Sequence, residues 1–322
     1  MFASVEAWAE QIRAGEVRAL ARAISAVEDH DPQAEELIRR LFPYTGNSFA
    51  IGLTGAPGSG KSTLVDRLAA QYRAQGNRVG IIAVDPTSPY TGGAILGDRI
   101  RMQGHAGDPE IFIRSMATRG FLGGLARTTG DVALVLDAAG KQYVLIETVG
   151  VGQDEVDIVR LADCTVVLLV PGMGDDVQNM KAGLMEIADI FVLNKSDRDG
   201  VDRLEAEVRA MLQLAHEPDG WQPAIVRTVA TENRGLDDLA AAIEKCRVRN
   251  AQNSERRERR INHWKSRLLA LAGEMVLQQC VAGQSGEAAL DRLAREVAGR
   301  GKDPYTAVRE LLAGADGMRH SE

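Results

Sequence analysis

An apolar run ending in Gly55-Ala56-Pro57-Gly58-Ser59-Gly60-Lys61-Ser62, followed by an amphipathic stretch over 62–75, leaves this chain few folds to choose from. The string matches G-x-x-x-x-G-K-[ST] and lies where phosphate chemistry needs it, between a strand and a helix. Its glycines let the backbone wrap close to an anion and aim N–H groups at it, and the helix N-terminus adds a favourable dipole. Lys61 is expected to neutralise the outer phosphates of a nucleotide. The Ser62 hydroxyl is expected to reach a Mg²⁺ ion, with Thr63 completing the cradle in the first helical turn. A chance glycine loop is the bland alternative, and the strand and helix on either side count against it.

A phosphate loop demands a parallel sheet, and the chain supplies one. Apolar runs at 49–53, 78–84, 111–113, 143–147, 165–170, 190–193 and 224–228 alternate with amphipathic stretches, and their Val/Ile/Leu character suits burial on both faces. The expected fold class is α/β, a P-loop domain with a mainly parallel sheet. Ahead of it, Trp8, Ile12, Leu20, Ile24 and Val27 recur at helical spacing, broken at Gly15 and at Asp31-Pro32. After Arg247 the composition turns to Arg and Glu, and then Ile261, Trp264, Leu268 and Met275 form the stripe of a long C-terminal helix. Expected boundaries are 1–45 for the helical front, 46–247 for the nucleotide domain and 248–322 for a helical extension. The Arg-rich stretch reads as a solvated helix face, because glutamates interrupt it.

Three carboxylates stand where a nucleotide-bound metal would need them. Glu147 ends the run Tyr143-Val-Leu-Ile-Glu147 and is followed by Thr148-Val149-Gly150, an acid at a strand end and then a glycine whose N–H could sense a γ-phosphate. Asp85 also ends an apolar run, and Asp98 lies in Gly97-Asp-Arg-Ile-Arg-Met102. Mg²⁺ takes hard oxygen ligands and keeps several waters. Asp98 is read as a direct ligand, and Asp85 and Glu147 as water-mediated ligands or water positioners. A helix cap remains the alternative for Asp98 and for Glu147.

The base is read further along. Asp189-Ile-Phe-Val-Leu-Asn194-Lys195-Ser196-Asp197 is an apolar strand ending in Asn-Lys-x-Asp. The Asp197 carboxylate can accept two hydrogen bonds from guanine that adenine cannot offer, and leaving it unpaired penalises the wrong base. Asn194 can brace the loop, the Lys195 stem can pack along the purine, and the Ala230 N–H can meet the guanine carbonyl. The expected ligands are therefore GTP and GDP with Mg²⁺.

A net charge of −7 argues against a broad nucleic-acid footprint. Cys164, Cys246 and Cys280 are far apart and odd in number, which indicates neither a disulfide framework nor a zinc ribbon and fits a reducing cytoplasm. No apolar stretch approaches membrane-spanning length, and Met1–Glu10 shows no export signal. A cytoplasmic location without membrane attachment is expected.

Several long strings together resemble the GTPases that accompany methylmalonyl-CoA mutase and its relatives, the MeaB/ArgK type. They are Val84-Asp-Pro-Thr-Ser-Pro-Tyr-Thr-Gly-Gly, Gly97-Asp-Arg-Ile-Arg-Met, Ile113-Arg-Ser-Met-Ala-Thr-Arg-Gly-Phe-Leu-Gly-Gly124, Glu147-Thr-Val-Gly-Val-Gly-Gln153, Asn194-Lys-Ser-Asp197 and Asp303-Pro-Tyr-Thr-Ala307. The resemblance covers nearly the whole chain. It implies a G domain flanked by N-terminal helices and a C-terminal helical arm that makes a homodimer. It also implies slow GTP hydrolysis that gates adenosylcobalamin loading and inactive-cofactor removal at a cobalamin-dependent acyl-CoA mutase. Asp175 and Lys181 match positions that the family uses to couple nucleotide state to the mutase, and an exposed helix start is the alternative for them. Gln153 would position the attacking water or contact the partner. A transport-type kinase would need an acceptor site, for which no motif is present. A metal-insertion GTPase would need clustered His and Cys ligands, whereas the histidines here are scattered.

Overall fold

The structure, a computed structural model, describes residues 4–85, 103–105, 107–117, 124–148, 161–172, 188–214, 222–252, 254–281 and 283–318. The chain divides into two compact units, Met1–Asn253 and Ser254–Glu322.

The first unit begins with three short helices, α1 (Val5–Arg13), α2 (Val17–Glu28) and α3 (Pro32–Leu41). Each boundary has a local cause. Ser4 caps α1 by accepting the Ala7 N–H, and Asp31 caps α3 by accepting the Gln33 N–H, with Pro32 in the first turn where its missing N–H costs nothing. Between α1 and α2 the chain reverses at Gly15, whose φ of 81° is left-handed. Trp8 joins the two helices by donating its indole N–H to the Ala19 carbonyl at 3.0 Å.

The sheet follows, with β1 (Phe49–Gly55), β2 (Val79–Asp85), β3 (Ile111–Ala117), β4 (Tyr143–Glu147), β5 (Cys164–Leu169), β6 (Ile190–Asn194) and β7 (Ala224–Thr228). Its seven strands lie in the order β3-β2-β4-β1-β5-β6-β7. All six pairings are parallel, so every strand delivers its C-terminal end to one edge. The described crossover and flanking helices are α4 (Lys61–Ala74), α5 (Gly124–Ala138), α6 (Val201–Leu214) and α7 (Leu236–Gln252).

Alternation along the strands sends side chains to both faces. Ile51, Leu53, Ile81, Leu145, Val166 and Leu168 pack against α4 and α7. On the opposite face Ile82, Val84, Phe112, Val144 and Ile146 meet α5 and the front helices through Ile12, Leu20, Ile24 and Leu37. Val167, Leu169, Phe191 and Leu193 meet α6. The front helices thus share the core of the sheet. The turn that leads from them into β1 is held by Asp137 of α5, which accepts the N–H groups of Gly46, Asn47 and Ser48 at 2.5, 3.2 and 2.9 Å.

In the second unit the expected long C-terminal helix is α8 (Ser254–Val281), which carries Ile261, Trp264, Leu268 and Met275, and two shorter helices follow it, α9 (Gly283–Ala298) and α10 (Pro304–Met318). The turn before α10 is made by Arg300 at φ 58° beside Gly299 and Gly301, and Asp303 caps α10 by accepting the Thr306 N–H. Cys280, Leu293 and Ala307 are buried, and Arg292, Glu296, Lys302 and Glu310 form a surface ion network across α9 and α10. Leu268, Leu269 and Leu277 of α8 are 61%, 75% and 60% exposed.

Candidate functional site

The phosphate loop joins the central strand β1 to α4, and its glycines are required by space as well as by torsion. Gly55 lies so close to Leu168 of β5 that a Cβ would run into the Leu168 carbonyl oxygen. Gly58 and Gly60 have φ of 77° and 97°, and a Cβ on Gly60 would collide with Asn194 Nδ2. The Ser59 N–H closes the loop onto the Ala56 carbonyl at 3.1 Å. Lys61 opens α4 and turns back into the loop, donating from Nζ to the Gly55 and Ala56 carbonyls at 2.7 and 3.1 Å, with 6% of the residue exposed.

Beside the loop, Ser62 donates from Oγ to Glu147 Oε1 at 2.6 Å. The register explains the meeting, because Glu147 closes β4 opposite Leu53 of the adjacent β1. Both residues are buried. Asp85 closes β2 on the far side of β4, with Ala83 opposite Glu147, so its backbone belongs to the same edge. The Asp85 side chain lies outside the described residues, as do Asp98, Gly150, Gln153, Asp175 and Lys181. The last two follow the end of β5, beyond the described turn Pro171–Gly172.

Asn194 joins three loops. At the end of β6 it donates from Nδ2 to the Ser59 carbonyl at 2.8 Å, and its Oδ1 accepts the Thr228 hydroxyl at 3.0 Å and the Ala230 N–H at 3.2 Å. Lys195, left-handed at φ 56°, donates from Nζ to the Gly58 carbonyl at 2.7 Å. The Ser196 N–H bonds the Thr228 carbonyl at 3.1 Å, which carries the next turn outward and leaves Asp197 exposed. The loop holding Ala230 is closed by a Val229–Arg234 bridge and by Gly235 at φ 74°, whose missing Cβ leaves room for the Arg227 carbonyl. Thr228 is the participant that sequence reasoning passed over. Its signal is a polar residue closing an apolar strand just before the Val-Ala turn, and it is fully buried.

The structure therefore brings Gly55–Ser62, Glu147, Asn194, Lys195, Asp197 and Ala230 to one edge of the sheet, where the chain leaves β1 toward β2 on one side and places β5 to β7 on the other. A crevice at such a reversal of strand order is where open parallel sheets take nucleotides. The donors at hand are backbone N–H groups at a helix N-terminus, an ammonium inside the loop, and a serine hydroxyl touching a carboxylate. That set suits a polyphosphate and a hard divalent cation.

Comparison with known proteins agrees. The profile of the family described as Methylmalonyl Co-A mutase-associated GTPase MeaB matches residues 20–285. A Pyrococcus abyssi protein whose name includes the word GTPase is 47% identical over 94% of this chain and 94% of its own length. GTPase ArgK of Escherichia coli is 40% identical over 72% of this chain and 73% of its own. The mouse protein named Methylmalonic aciduria type A homolog, mitochondrial, is 32% identical over 95% of this chain and 78% of its own. A solved structure described as LAO/AO transport system kinase superposes with a TM-score of 0.72 at 28% identity, covering 96% of both chains.

Proposed function

The chain belongs to the MeaB family of methylmalonyl-CoA-mutase-associated GTPases, and on that premise we propose that it is the Mg²⁺-dependent G-protein chaperone of a cobalamin-dependent acyl-CoA mutase, gating adenosylcobalamin loading and removal of inactive cofactor. That it binds guanine nucleotide and hydrolyses GTP follows from the family itself. The observation that supports the rest is the match to the mutase-associated family over residues 20–285, and the bracing of the phosphate loop by the base-reading loop through Asn194 gives the two loops a direct link through which nucleotide occupancy would be transmitted.

The roles follow from position. Gly58, Ser59, Gly60 and Lys61 would wrap the phosphates with backbone N–H groups at the head of α4, with Thr63 in its first turn. The Lys61 ammonium, which holds the Gly55 and Ala56 carbonyl oxygens, would exchange them for phosphate oxygens. Asp197 would read the guanine edge, the Lys195 stem would lie along the ring, and the Ala230 N–H, which now points at Asn194 Oδ1, would be shared with the guanine carbonyl.

Ser62 and Glu147, oxygen to oxygen at 2.6 Å, are a donor set that fits Mg²⁺. Ser62 would ligate directly, Glu147 and Asp85 through water, and Asp98 from the intervening segment. The cation, when bound, supplies charge neutralisation at the outer phosphates. Gln153 would orient the attacking water, Gly150 would sense the γ-phosphate, and Asp175 and Lys181 would report nucleotide state to the mutase.

The exposed leucines of α8 support a homodimer made by the C-terminal arm, because a soluble monomer rarely leaves so much apolar surface on one helix. No described helix is long and apolar enough to cross a membrane. We place the protein in the cytoplasm.

The test is GTP turnover with and without saturating mutase, run beside a cobalamin-transfer assay and sedimentation of the full chain. Lys181→Ala and Asp175→Ala should keep basal turnover within about an order of magnitude and lose most of the stimulation by mutase, since coupling between two ligands is reciprocal. Stimulation and gating unchanged in both variants would refute the coupling role. Phosphate appearing on an added acceptor rather than in solution would favour a kinase, and a sedimenting monomer would refute the arm as a dimer interface.

A further inference from the structure

At the opposite end of the sheet from the nucleotide edge, two cysteines that the sequence keeps far apart come together. Cys164 opens β5 and Cys246 lies on α7, and both are fully buried in the apolar cluster beneath α4 and α7. Asp189, immediately before β6, is buried too. One ligand atom from each of these three residues lies within 4.8 Å of the other two. The surroundings hold them in place. Asp189 Oδ2 accepts the Thr165 N–H at 2.9 Å, and Asn250, one turn beyond Cys246, brings its Oδ1 to 3.9 Å from Cys246 Sγ while donating from Nδ2 to the Asp163 carbonyl at 2.7 Å.

A second observation points to a ligand. Tyr72 of α4 is 3% exposed and stacked on Tyr143 at 4.0 Å between ring centres, and its buried hydroxyl has no hydrogen-bond partner among the described residues. Burial, then the neighbouring Tyr143 and Cys164, hold its ionisation well above the ordinary range. Buried polar groups are normally partnered, and a hydroxyl left bare with Cys164 among its neighbours is consistent with a site short of an occupant.

We propose that Cys164, Cys246 and Asp189 bind a thiophilic divalent cation, zinc above all, with the fourth position open to water beside the Tyr72 hydroxyl. Binding replaces two S–H bonds by two metal–sulfur bonds and releases both protons to solvent, with no change of oxidation state. Zn–S and Zn–O bonds of about 2.3 and 2.1 Å imply tetrahedral ligand separations of roughly 3.5 to 3.8 Å, so an inward move of about 1 Å closes the site. Thiolates exclude Mg²⁺, which takes hard oxygens. Nor is this the nucleotide's metal site: Leu168, not Cys164, lies opposite Gly55. Four positions of strand between them are about 13 Å. The cation fastens α7, the last helix of the first unit, to β5 and β6, and because all three ligands are buried, it enters only when α7 opens locally.

The test uses the full chain, reduced, stripped with chelator and freed of nucleotide, and titrated with Co²⁺ as the spectroscopic stand-in for zinc. A thiolate-to-cobalt charge-transfer band saturating near ~1 equivalent and bleached by added zinc is expected, and oxygen donors at the nucleotide edge cannot produce it. The band should vanish in Cys246→Ser and in Cys164→Ser, persist in Cys280→Ser, and leave GTP turnover in Cys246→Ser within about twofold. Should the serine variants fold poorly, the wild type still decides the matter: zinc should slow alkylation of Cys164 and Cys246, mapped by mass spectrometry, and leave Cys280 unchanged. No thiolate band, a band surviving in both serine variants, equal alkylation with and without zinc, or a Cys164–Cys246 disulfide in place of metal each overturns the proposal.

Discussion

Replacing Asn194 by alanine separates bracing from base recognition, because the three bonds it makes exist without any nucleotide. The substitution removes the donor to the Ser59 carbonyl and the acceptor of the Thr228 hydroxyl and the Ala230 N–H, and the last two partners are buried. Each such bond contributes about 1 kcal/mol, and a buried group left bare costs about 1 to 3 kcal/mol. Thr228 can rotate its hydroxyl and recover part of that. A loss of roughly 2 to 4 kcal/mol is expected, concentrated in loops that the side chain joins. The chain holds two compact units, so a single unfolding midpoint is a poor measure. Hydrogen exchange of the nucleotide-free protein is better. Amides of the phosphate loop, such as Ser59 bonded to Ala56, and of the loop after β7, such as Val229 bonded to Arg234, should exchange roughly 30- to 700-fold faster in Asn194→Ala. The two loops should loosen together. Unchanged protection in both, alongside a large loss of GTP affinity, would show that Asn194 only contacts the base and would refute the brace.

Two further outcomes follow from the same geometry. Asp197→Asn should shift preference from GTP toward xanthosine triphosphate, since an amide can donate to the xanthine oxygen where the carboxylate accepted from guanine, and competition binding with both nucleotides checks this. Tyr72 and Tyr143 both have ionisation raised by burial. Their folded forms stay neutral where the unfolded chain ionises, so their contribution to stability is complete below pH ~10 and is lost as pH rises beyond it. Tyr72→Phe in the metal-free protein should leave stability at pH 7 within about 0.5 kcal/mol, because the hydroxyl has no partner to lose, and should blunt the alkaline decline. A thermal scan across pH that shows parallel curves for variant and wild type would contradict this.

The phosphate loop, Glu147 and the Asn-Lys-Ser-Asp string were legible in the sequence because each closes an apolar run at a point where the chain must turn. β3 was legible only to Ile113. Arg114 and Ser115 interrupt the apolar run, and Arg114 belongs to the strand because Glu28 and Ser25 of α2 receive its guanidinium, a partnership made in three dimensions. Strand order was beyond reach for a related reason: β4 inserts between β2 and β1, and nothing local in 143–147 announces its neighbours. The C-terminal stripe was legible because Ile261, Trp264, Leu268 and Met275 keep helical spacing within α8, whereas the turn at the left-handed Arg300, which separates α9 from α10, is invisible to pattern. Spacing likewise separated Cys164 from Cys246, which meet only because α7 lies across the start of β5.

The place of β1 in the sheet sets the timetable on which this chain can fold as it leaves a ribosome. β1 emerges early, yet its two neighbours are β4 and β5, so its backbone acquires both hydrogen-bonded edges only after Leu169 has been made. Until then an apolar strand with bare edges is the species most prone to pairing with another nascent copy. The front helices α1 to α3, which share a core with β2 to β4, are already synthesised by that point and can shelter one face of the growing sheet. A stop or pause between β4 and β5 would leave β1 paired on one side only. Fragments ending there should aggregate, whereas those ending after β6 should stay dispersed.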